Sequence, residues 1–343
     1  MPGAVGPVVG FGELLLRLKS PGATRLLQEG SLEAGFGGAE FNVLASLSRF
    51  GHPTEFVSLL PSNALGVAAL ESIRRHGVGT RHVRSHPGRM GLYFAEAGAD
   101  LRPGSVVYDR EGSAFSRLVA TDLDWAGILK EAGWLHVTGI TAALGTGPAA
   151  AMLAAMRVAG KLGIPVSLDV NMRPSLWAAS GRKPRETLQP LLQHATHLFA
   201  GLDDWEACFD APPPQGDREA AVRQFLALLL ESNPRARVAV SGTRISNGAD
   251  DQQLSAFAAA RDGSFAQART VRVRHVVDRI GAGDAMVAGC LLLALEGASW
   301  QEALDFGVVA GALKHTVPGD VSLVSRAEVE AALAGVDGGR LRR

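Results

Sequence analysis

Short apolar runs alternate with longer helical patterns along most of the chain. Runs too short for helices predict strands at Val8–Phe11, 55–60, 134–137, 166–170, 197–200 and 237–241. Amphipathic or apolar patterns predict helices at Ala39–Arg49, 65–76, 148–161, 218–231, Ala282–Leu295 and 300–316. This alternation predicts an α/β fold with a doubly wound, mainly parallel sheet flanked by helices. Ligands of such sheets bind beyond the carboxyl ends of the strands.

Two segments interrupt this alternation and predict a second, smaller sheet. Residues 14–33 and 91–108 read as strands and turns without helices. Paired with each other, they would form a small β-sheet lid, made by about residues 12–35 and 89–115, over the cleft of a single domain spanning 1–343. A pair of long surface loops is the alternative interpretation.

Residues 132–156 contain no Asp, Glu, Lys or Arg and are long enough to cross a bilayer. Gly139, Gly145, Gly147 and Pro148 divide this stretch into a short strand and an alanine-rich helix. Since alanine is only weakly lipophilic, we expect a buried β-turn-α unit and no membrane association.

The charge balance excludes further classes of partner. With 34 Lys+Arg against 34 Asp+Glu, the chain has no basic field for nucleic acid. One cluster of basic residues does occur, but without matching aromatic residues it indicates a solvated helix end and a loop; it consists of Arg74, Arg75, Arg81, Arg84 and Arg89.

Two cysteines and the lack of a signal-peptide pattern at the N-terminus predict a cytoplasmic location.

The strongest local motif is VVDRIGAGDAMVAGCLLLAL, residues 276–295. Gly281, Ala282 and Gly283 turn the chain into an uncharged helix, whose first N–H groups can hold a phosphoryl group. Asp284 in the first turn could take a proton from an attacking hydroxyl. The alternative interpretation is that Asp284 only favours the start of a helix and that the glycines serve packing.

The fragment Gly10-Phe-Gly12 is weak evidence for a dinucleotide-binding fold because the third glycine of that motif is missing.

In context, this motif resembles the main motif of the PfkB (ribokinase-like) carbohydrate kinases. GFGGAEFNVLASLSRFG, residues 35–51, is similar to that family's N-terminal Gly-Gly motif. Within that family, the chain most resembles the 2-keto-3-deoxygluconate kinase branch. The segments that carry this resemblance are Glu13, GLYFAEAG, Tyr108-Asp-Arg110, residues 169–177, Thr243-Arg244, residues 254–256 and residues 314–320. The resemblance spans about residues 7–325.

The resemblance implies site residues, and their chemistry agrees with it. Arg110 and Arg173 offer guanidinium forks that suit a carboxylate or phosphate, and the chain's two tyrosines lie in or beside the predicted lid. Predicted catalytic residues are Asp284, Gly281, Ala282, Gly283 and Arg173. Predicted sugar-binding residues are Gly37, Gly38, Asn42, Tyr93, Tyr108, Arg110, Asp169, Asn171 and Asp320. Predicted nucleotide-binding residues are Asp204, Ser241, Gly242, Thr243, Arg244, Gly281, Gly283 and Lys314.

The chain also departs from the family pattern. Arg279 replaces the commoner Thr, Met286 replaces the usual Phe, and the family's Asn-x-x-Glu element lacks its asparagine near residues 199–206, where Asp204 is our choice for the acidic position. No metal-ligand cluster is evident, so Mg²⁺ would be held mostly by ATP phosphates and water. A monovalent cation is a further candidate.

These features predict an ATP-dependent kinase for 2-keto-3-deoxy-D-gluconate, with a homodimer formed through the lid. The nearest alternative is a kinase of the same fold for another sugar, fructose or 2-keto-3-deoxygalactonate. A second alternative is a non-catalytic relative that binds a sugar acid or nucleotide, and an NAD-dependent enzyme is a distant third.

Overall fold

A computed structural model describes residues 6–214 and 216–335. Its strands are β1 (Val8–Phe11), β2 (Leu15–Lys19), β3 (Glu33–Gly37), β4 (Thr54–Pro61), β5 (Gly79–His86), β6 (Gly91–Glu96), β7 (Ser105–Asp109), β8 (Trp134–Thr138), β9 (Val166–Asp169), β10 (His197–Phe199), β11 (Val238–Ser246), β12 (Asp251–Ala260), β13 (Phe265–Gln267) and β14 (Val271–Arg274). Its helices are α1 (Ala39–Arg49), α2 (Ala64–Arg75), α3 (Trp125–Leu129), α4 (Gly139–Ala143), α5 (Thr146–Leu162), α6 (Pro174–Ser180), α7 (Pro184–Leu192), α8 (Trp205–Cys208), α9 (Arg218–Ser232), α10 (Ala282–Leu295), α11 (Trp300–Lys314) and α12 (Arg326–Leu333). Short 3₁₀ turns occupy Phe115–Arg117, Ala120–Asp122 and Leu202–Asp204.

The larger sheet confirms the predicted mainly parallel architecture. Its strand order is β13-β12-β11-β10-β9-β8-β1-β4-β5, and β14 also pairs with β12. Neighbours from β11 to β5 are parallel, whereas β12 runs antiparallel to β11, β13 and β14. The chain order reverses around β1, which lies between β8 and β4. That reversal places a cleft at the carboxyl ends of these strands.

Alternating side chains of the central strands supply two separate cores. In β1, Val8 packs into one apolar cluster and Val9 into the other. In β8, Trp134 and Leu135 divide in the same way. Since successive strand residues point to opposite faces, helices must cover both sides of the sheet.

The smaller sheet, hereafter the small sheet, consists of β2, β3, β6 and β7 in the order β3-β2-β6-β7. This confirms that the segments without helices pair, and it rules out two long loops. β2 and β6 are parallel, while β3 and β7 are antiparallel edge strands. The register places Arg17, Tyr93 and Tyr108 side by side on one face of the sheet.

Three parts of the sequence interpretation need correction or completion. The predicted loop carrying Arg81 and Arg84 is the edge strand β5, which the sequence concealed because few of its residues are apolar. The run 132–156 forms β8, α4 and the first part of α5, and within the described ranges no helix is long and apolar enough to span a bilayer. The predicted strand at 237–241 continues to Ser246 and pairs with β12, whose residues we did not predict.

Candidate active site

A cavity of about 770 Å³ lies between the small sheet and the carboxyl edge of the larger sheet. Its volume falls in the range of small-molecule sites. The structure brings most of the predicted site residues to its wall: Gly37, Gly38, Asn42, Tyr93, Tyr108, Arg110, Asp169, Asn171, Arg173, Asp204, Gly242, Arg244, Gly281, Gly283, Asp284 and Asp320. Ala282, Ser241, Thr243 and Lys314 are not part of that wall.

The start of α10 forms an open cradle at the cavity. Gly281 is its N-cap with φ +82°, and no side chain caps the helix. A Cβ on Gly281 would lie 1.8 Å from the backbone oxygen of Asp320, so only glycine fits there. A Cβ on Gly283 would meet nothing within 4 Å. The Ala282 N–H donates to the backbone oxygen of Arg279 at 3.4 Å, whereas the N–H groups of Gly283 and Asp284 have no acceptor within the described ranges and are available to an anion.

Asp284, in the first turn of α10, is half-buried at the cavity wall. The side-chain amide of Asn42 donates to its Oδ2 at 2.7 Å. Burial raises the pKa of Asp284 to about 6, although the Asn42 hydrogen bond and the charge of Arg173 oppose the rise. A carboxylate with this pKa is ionised at neutral pH and still basic enough to accept a proton.

The turn at Gly37 and Gly38 brings α1 against α10. A Cβ on Gly37 would lie 1.9 Å from Asp320 Oδ2, and one on Gly38 would lie 2.2 Å from the backbone oxygen of Glu13. These close approaches require glycine at both positions and place Asn42 one turn into α1, within reach of Asp284. The Gly38 N–H also donates to Asn42 Oδ1 at 3.4 Å.

The small sheet presents aromatic and cationic groups to the cavity. The Tyr93 and Tyr108 ring centroids are 5.8 Å apart, and the Arg110 guanidinium lies 5.6 Å from the Tyr108 ring centroid. The Tyr93 hydroxyl donates to Asp320 Oδ1 at 2.5 Å. Burial and the Asp320 charge raise the pKa of Tyr93, so its hydroxyl stays protonated.

Arg110 and Arg173, which the sequence presents as similar forks, have different surroundings. Arg110 is buried and donates from Nε and Nη2 to Glu13 Oε2 at 2.8 and 2.5 Å. Ser113 donates to the other oxygen of Glu13. Arg173 is exposed, and its guanidinium donates a 3.4 Å hydrogen bond to the backbone oxygen of Met172. Neither Glu13, which the sequence offers only through the family resemblance, nor Ser113 is among the predicted site residues.

A group of three arginines also lines the cavity. Arg173, Arg244 and Arg279 line the wall, and none of the three forms an ion pair with a carboxylate within the described ranges. Burial lowers the pKa of Arg244, and the positive charges of Arg279 and Arg173 lower it further. Three mutually repelling cations favour a ligand with several negative charges.

Asp169 is the last residue of β9, and Asn171 and Asp204 follow the ends of β9 and β10. Burial raises the pKa of Asp169 well above its usual value, as do the charges of Asp204 and Asp284. Asn171 Nδ2 donates to Asp169 Oδ2 at 3.2 Å. Asp204 accepts from the N–H groups of Gly201 at 2.6 Å and Met172 at 2.8 Å, so it holds two loops together. Its exposed neighbour Asp203, which we did not predict, also lines the cavity.

Two predicted nucleotide ligands are fully buried behind the wall. Lys314 donates to the backbone oxygens of Asp278 at 3.4 Å and Val317 at 3.1 Å, and burial lowers its pKa to about 8. Ser241 is likewise 0% exposed. The Thr243 hydroxyl donates to the backbone oxygen of Ser255 at 3.4 Å. Lys314 and Ser241 thus expose no surface to the cavity, whereas Thr243 is half-buried.

Comparisons with known proteins agree with this geometry. The chain is 31% identical to a 2-dehydro-3-deoxygalactonokinase of Haloferax volcanii over 97% of this chain and 98% of that protein. It is 28% identical to a 2-dehydro-3-deoxygluconokinase of Bacillus subtilis over 91% and 90%. The crystal structure of a 2-dehydro-3-deoxygluconokinase from Thermotoga maritima superposes with a TM-score of 0.91 at 34% identity, covering 96% of this chain and 100% of that one. Residues 8–326 match the pfkB family carbohydrate kinase profile, and the chain belongs to that ribokinase-like family.

Proposed function

We propose that the protein is an ATP-dependent sugar-acid kinase that phosphorylates the primary hydroxyl of 2-keto-3-deoxy-D-gluconate to give the 6-phospho sugar acid. The observation that carries this proposal is the pairing of Asp284 with the open cradle at Gly283. One group can accept a proton and the other an anion, and both line the same cavity. Relatives that bear the names of sugar-acid kinases support the substrate class.

In the proposed reaction, the sugar hydroxyl oxygen forms a bond to the γ-phosphorus while the bond to the β–γ bridging oxygen breaks and ADP leaves. Asp284 accepts the hydroxyl proton. Arg173 and the N–H groups of Gly281 and Gly283, the residues of the predicted turn that line the cavity, stabilise the charge on the transferring group. Positioning and electrostatics supply the rate enhancement, because the protein forms no covalent bond to the phosphoryl group.

The cluster of Arg173, Arg244 and Arg279 would bind the phosphates of ATP, next to Gly242. Within the described ranges no group of three His, Cys, Asp or Glu side chains is placed to hold a metal ion. The proposed Mg²⁺ would be held mainly by the phosphates of ATP and by water. Asp203 is the exposed carboxylate that would bind such an ion through water. Bound Mg²⁺ would neutralise phosphate charge. A monovalent-cation requirement stays a prediction, tested by comparing turnover in potassium, sodium and choline salts.

The sugar acid would lie against the small sheet, between Asn42, Tyr93 and Tyr108. Although Arg110 is paired with Glu13, its Nη1 donates no hydrogen bond to any residue in the described ranges. That N–H pair is available to the carboxylate of a sugar acid. We propose that the small sheet acts as the lid of a single kinase domain and excludes water from the cavity.

A second candidate substrate is 2-keto-3-deoxygalactonate. It is favoured by the 31% identity to the Haloferax volcanii protein. The two acids differ in one inverted hydroxyl, so both present the carboxylate and the primary hydroxyl that this site would use.

The test is ADP release with ATP and each of three acceptors, the gluconate acid, the galactonate acid and fructose. We expect turnover with one or both acids and at least about tenfold lower kcat/KM with fructose, because fructose has no carboxylate to bind Arg110. Phosphorus NMR of the product identifies the hydroxyl that carries the phosphate. Turnover with fructose equal to that with the acids would contradict the sugar-acid assignment, and no ADP release with any acceptor would contradict kinase activity toward them.

A homodimer through the small sheet is also proposed. Ala34, Leu18, Phe94 and Val107 form one cross-strand row on the face opposite Arg17 and Tyr93. The row is apolar across all four strands, and Val107 is 54% exposed. An apolar sheet face of this kind favours pairing with a second copy.

A cytoplasmic location stays a prediction that rests on two free cysteines.

A further inference from the structure

Arg17 occupies a position in the small sheet that the proposed chemistry does not use. It lies on β2, next to Tyr93 on β6, and is 4% exposed. Its Nη1 donates to Asp320 Oδ1 at 2.5 Å, and its Nη2 donates to Asp278 Oδ2. Burial alone would lower the pKa of Arg17, but Asp320, Tyr93 and Asp278 hold that pKa above its usual value. Both terminal nitrogens of Arg17, which lines the cavity, are therefore held by carboxylates, although each keeps a second N–H.

The first carboxylate, Asp278, organises the loop that leads into α10. Its Oδ1 accepts the N–H of Ile280 at 3.2 Å, and its Oδ2 accepts the N–H of Gly319 at 3.2 Å as well as Arg17. Its backbone oxygen accepts from Lys314 at 3.4 Å. Residues 278–283, hereafter the cradle loop, are therefore fixed from several sides at their beginning.

The second carboxylate, Asp320, lies between the two glycine turns. Its backbone oxygen occupies the place where Gly281 would carry a Cβ, and its Oδ2 occupies the corresponding place at Gly37. A shift of Asp320 would move both the floor of the cradle loop and the turn that carries Asn42. Arg17 and Tyr93 donate hydrogen bonds from the small sheet to Asp278 and Asp320, and Lys19 on β2 adds a longer ion pair, 3.9 Å from Asp278 Oδ2.

We propose that Arg17 is a positioning residue that fixes the cradle loop relative to the small sheet. Its two ion pairs join the sheet that would hold the sugar acid to the loop that would hold the phosphoryl group. The attacking hydroxyl and the phosphoryl group are thereby aligned, and misplacement of about 1 Å costs on the order of 100-fold in rate. The inference rests on the proposed phosphoryl transfer but not on the identity of the sugar.

The test compares Arg17→Met and Arg17→Lys with the wild type and with Arg102→Met. Arg102 is a matched control, because it pairs with Glu96 at 2.7 Å in the small-sheet region and does not contact the cradle loop. Steady-state kinetics would measure kcat and both KM values. Calorimetry without sugar would measure the affinity for ADP alone and for ADP with aluminium fluoride, which imitates the phosphoryl group in transfer.

For Arg17→Met we expect kcat to fall about 10- to 100-fold. Binding of ADP with aluminium fluoride should weaken in parallel, while the affinity for ADP alone changes less than about threefold. Arg17→Lys, which can reach one carboxylate at a time, should lie between Arg17→Met and the wild type, and it provides the test if the methionine variant does not fold. Arg102→Met should keep wild-type values.

Unchanged kcat and unchanged fluoroaluminate affinity in a folded Arg17 variant would overturn the inference. So would a defect confined to the KM of the sugar acid, which would make Arg17 part of the sugar site. Wild-type protein that turns over no acceptor would instead count against the proposed function, and the fluoroaluminate comparison would still decide the role of Arg17.

Discussion

Asp284 shows how one side chain acquires a chemical role from its surroundings. Burial makes its negative charge costly, while Asn42 and Arg173 reduce that cost. The result is a carboxylate with a pKa of about 6 next to an open anion cradle. An acidic residue that merely favours a helix start would need neither the amide of Asn42 nor the empty space at Gly283.

The Asp284→Asn variant tests the base directly. The amide keeps the shape and can still bind Asn42, but it cannot accept the hydroxyl proton, so kcat should fall about 10²- to 10⁴-fold. The affinity for ATP, measured by calorimetry, should stay within about twofold because the arginine cluster is intact. Full activity in this variant would exclude Asp284 as the base.

The pH dependence of kcat tests the same residue through its pKa. Protonated Asp284 cannot act as a base, so kcat should fall tenfold per pH unit below about pH 6. The Asn42 hydrogen bond lowers this pKa, and Asn42→Ala should therefore move the acid limb to higher pH. Glu40, whose pKa burial raises to about 7, is bound to Thr138 and Thr141, and Glu40→Gln is the matched control that should leave the limb in place. If the acid limb shifted in Glu40→Gln, the titrating group would be Glu40 and not Asp284.

At the scale of single elements, substitutions in the first turn of α10 should affect protein stability and activity differently. Alanine at position 283 meets no neighbour within 4 Å and should raise helix stability by roughly 0.5–1 kcal/mol, but its methyl group would occupy the cradle. Gly283→Ala should therefore keep or raise the melting temperature while kcat/KM for ATP falls at least about tenfold. Gly281→Ala combines a φ of +82° with a 1.8 Å clash and should instead lower the melting temperature. A fully active Gly283→Ala variant would argue against anion binding at this turn.

The elements also show where the sequence is informative. Buried parallel strands and the helices that cover them have dense apolar patterns, so β1, β8, β9, α1 and α10 are predictable within a residue or two. The edge strand β5 is not, because most of its residues are polar. The hairpin strand β12 is not, because it is rich in alanine, which is depleted in strands. Arg17 was missed because its partners, Asp278 and Asp320, are distant in sequence.

Side-chain roles were harder to predict than positions. Sequence motifs place Arg110, Lys314 and Ser241 near the cleft, but only the packed structure shows that Arg110 is paired with Glu13 and that Lys314 and Ser241 are fully buried. A sequence motif indicates which residues lie near the cleft. Which atoms remain free for a ligand depends on partners that come from distant segments of the chain.

At the scale of the whole molecule, charge is distributed locally. The chain has no net charge, yet three arginines without carboxylate partners in the described ranges line the same cavity. A neutral protein can thus collect a polyanion at one site without a field that attracts nucleic acid. The small sheet lines that cavity with one face, while on its opposite face Leu18 and Phe94 are half-buried and Val107 is 54% exposed.

That opposite face leads to a prediction about assembly. If the row Ala34, Leu18, Phe94 and Val107 pairs with a second copy, light scattering should give twice the chain mass of 35.9 kDa. Val107→Glu would bury a charge at this interface and should shift the protein to monomer, since an unpaired buried carboxylate is costly. Val67→Glu is the matched control, because Val67 is 59% exposed on α2 and lies outside the small sheet. A monomeric wild type, or a dimer that survives Val107→Glu, would show that the apolar face has another role.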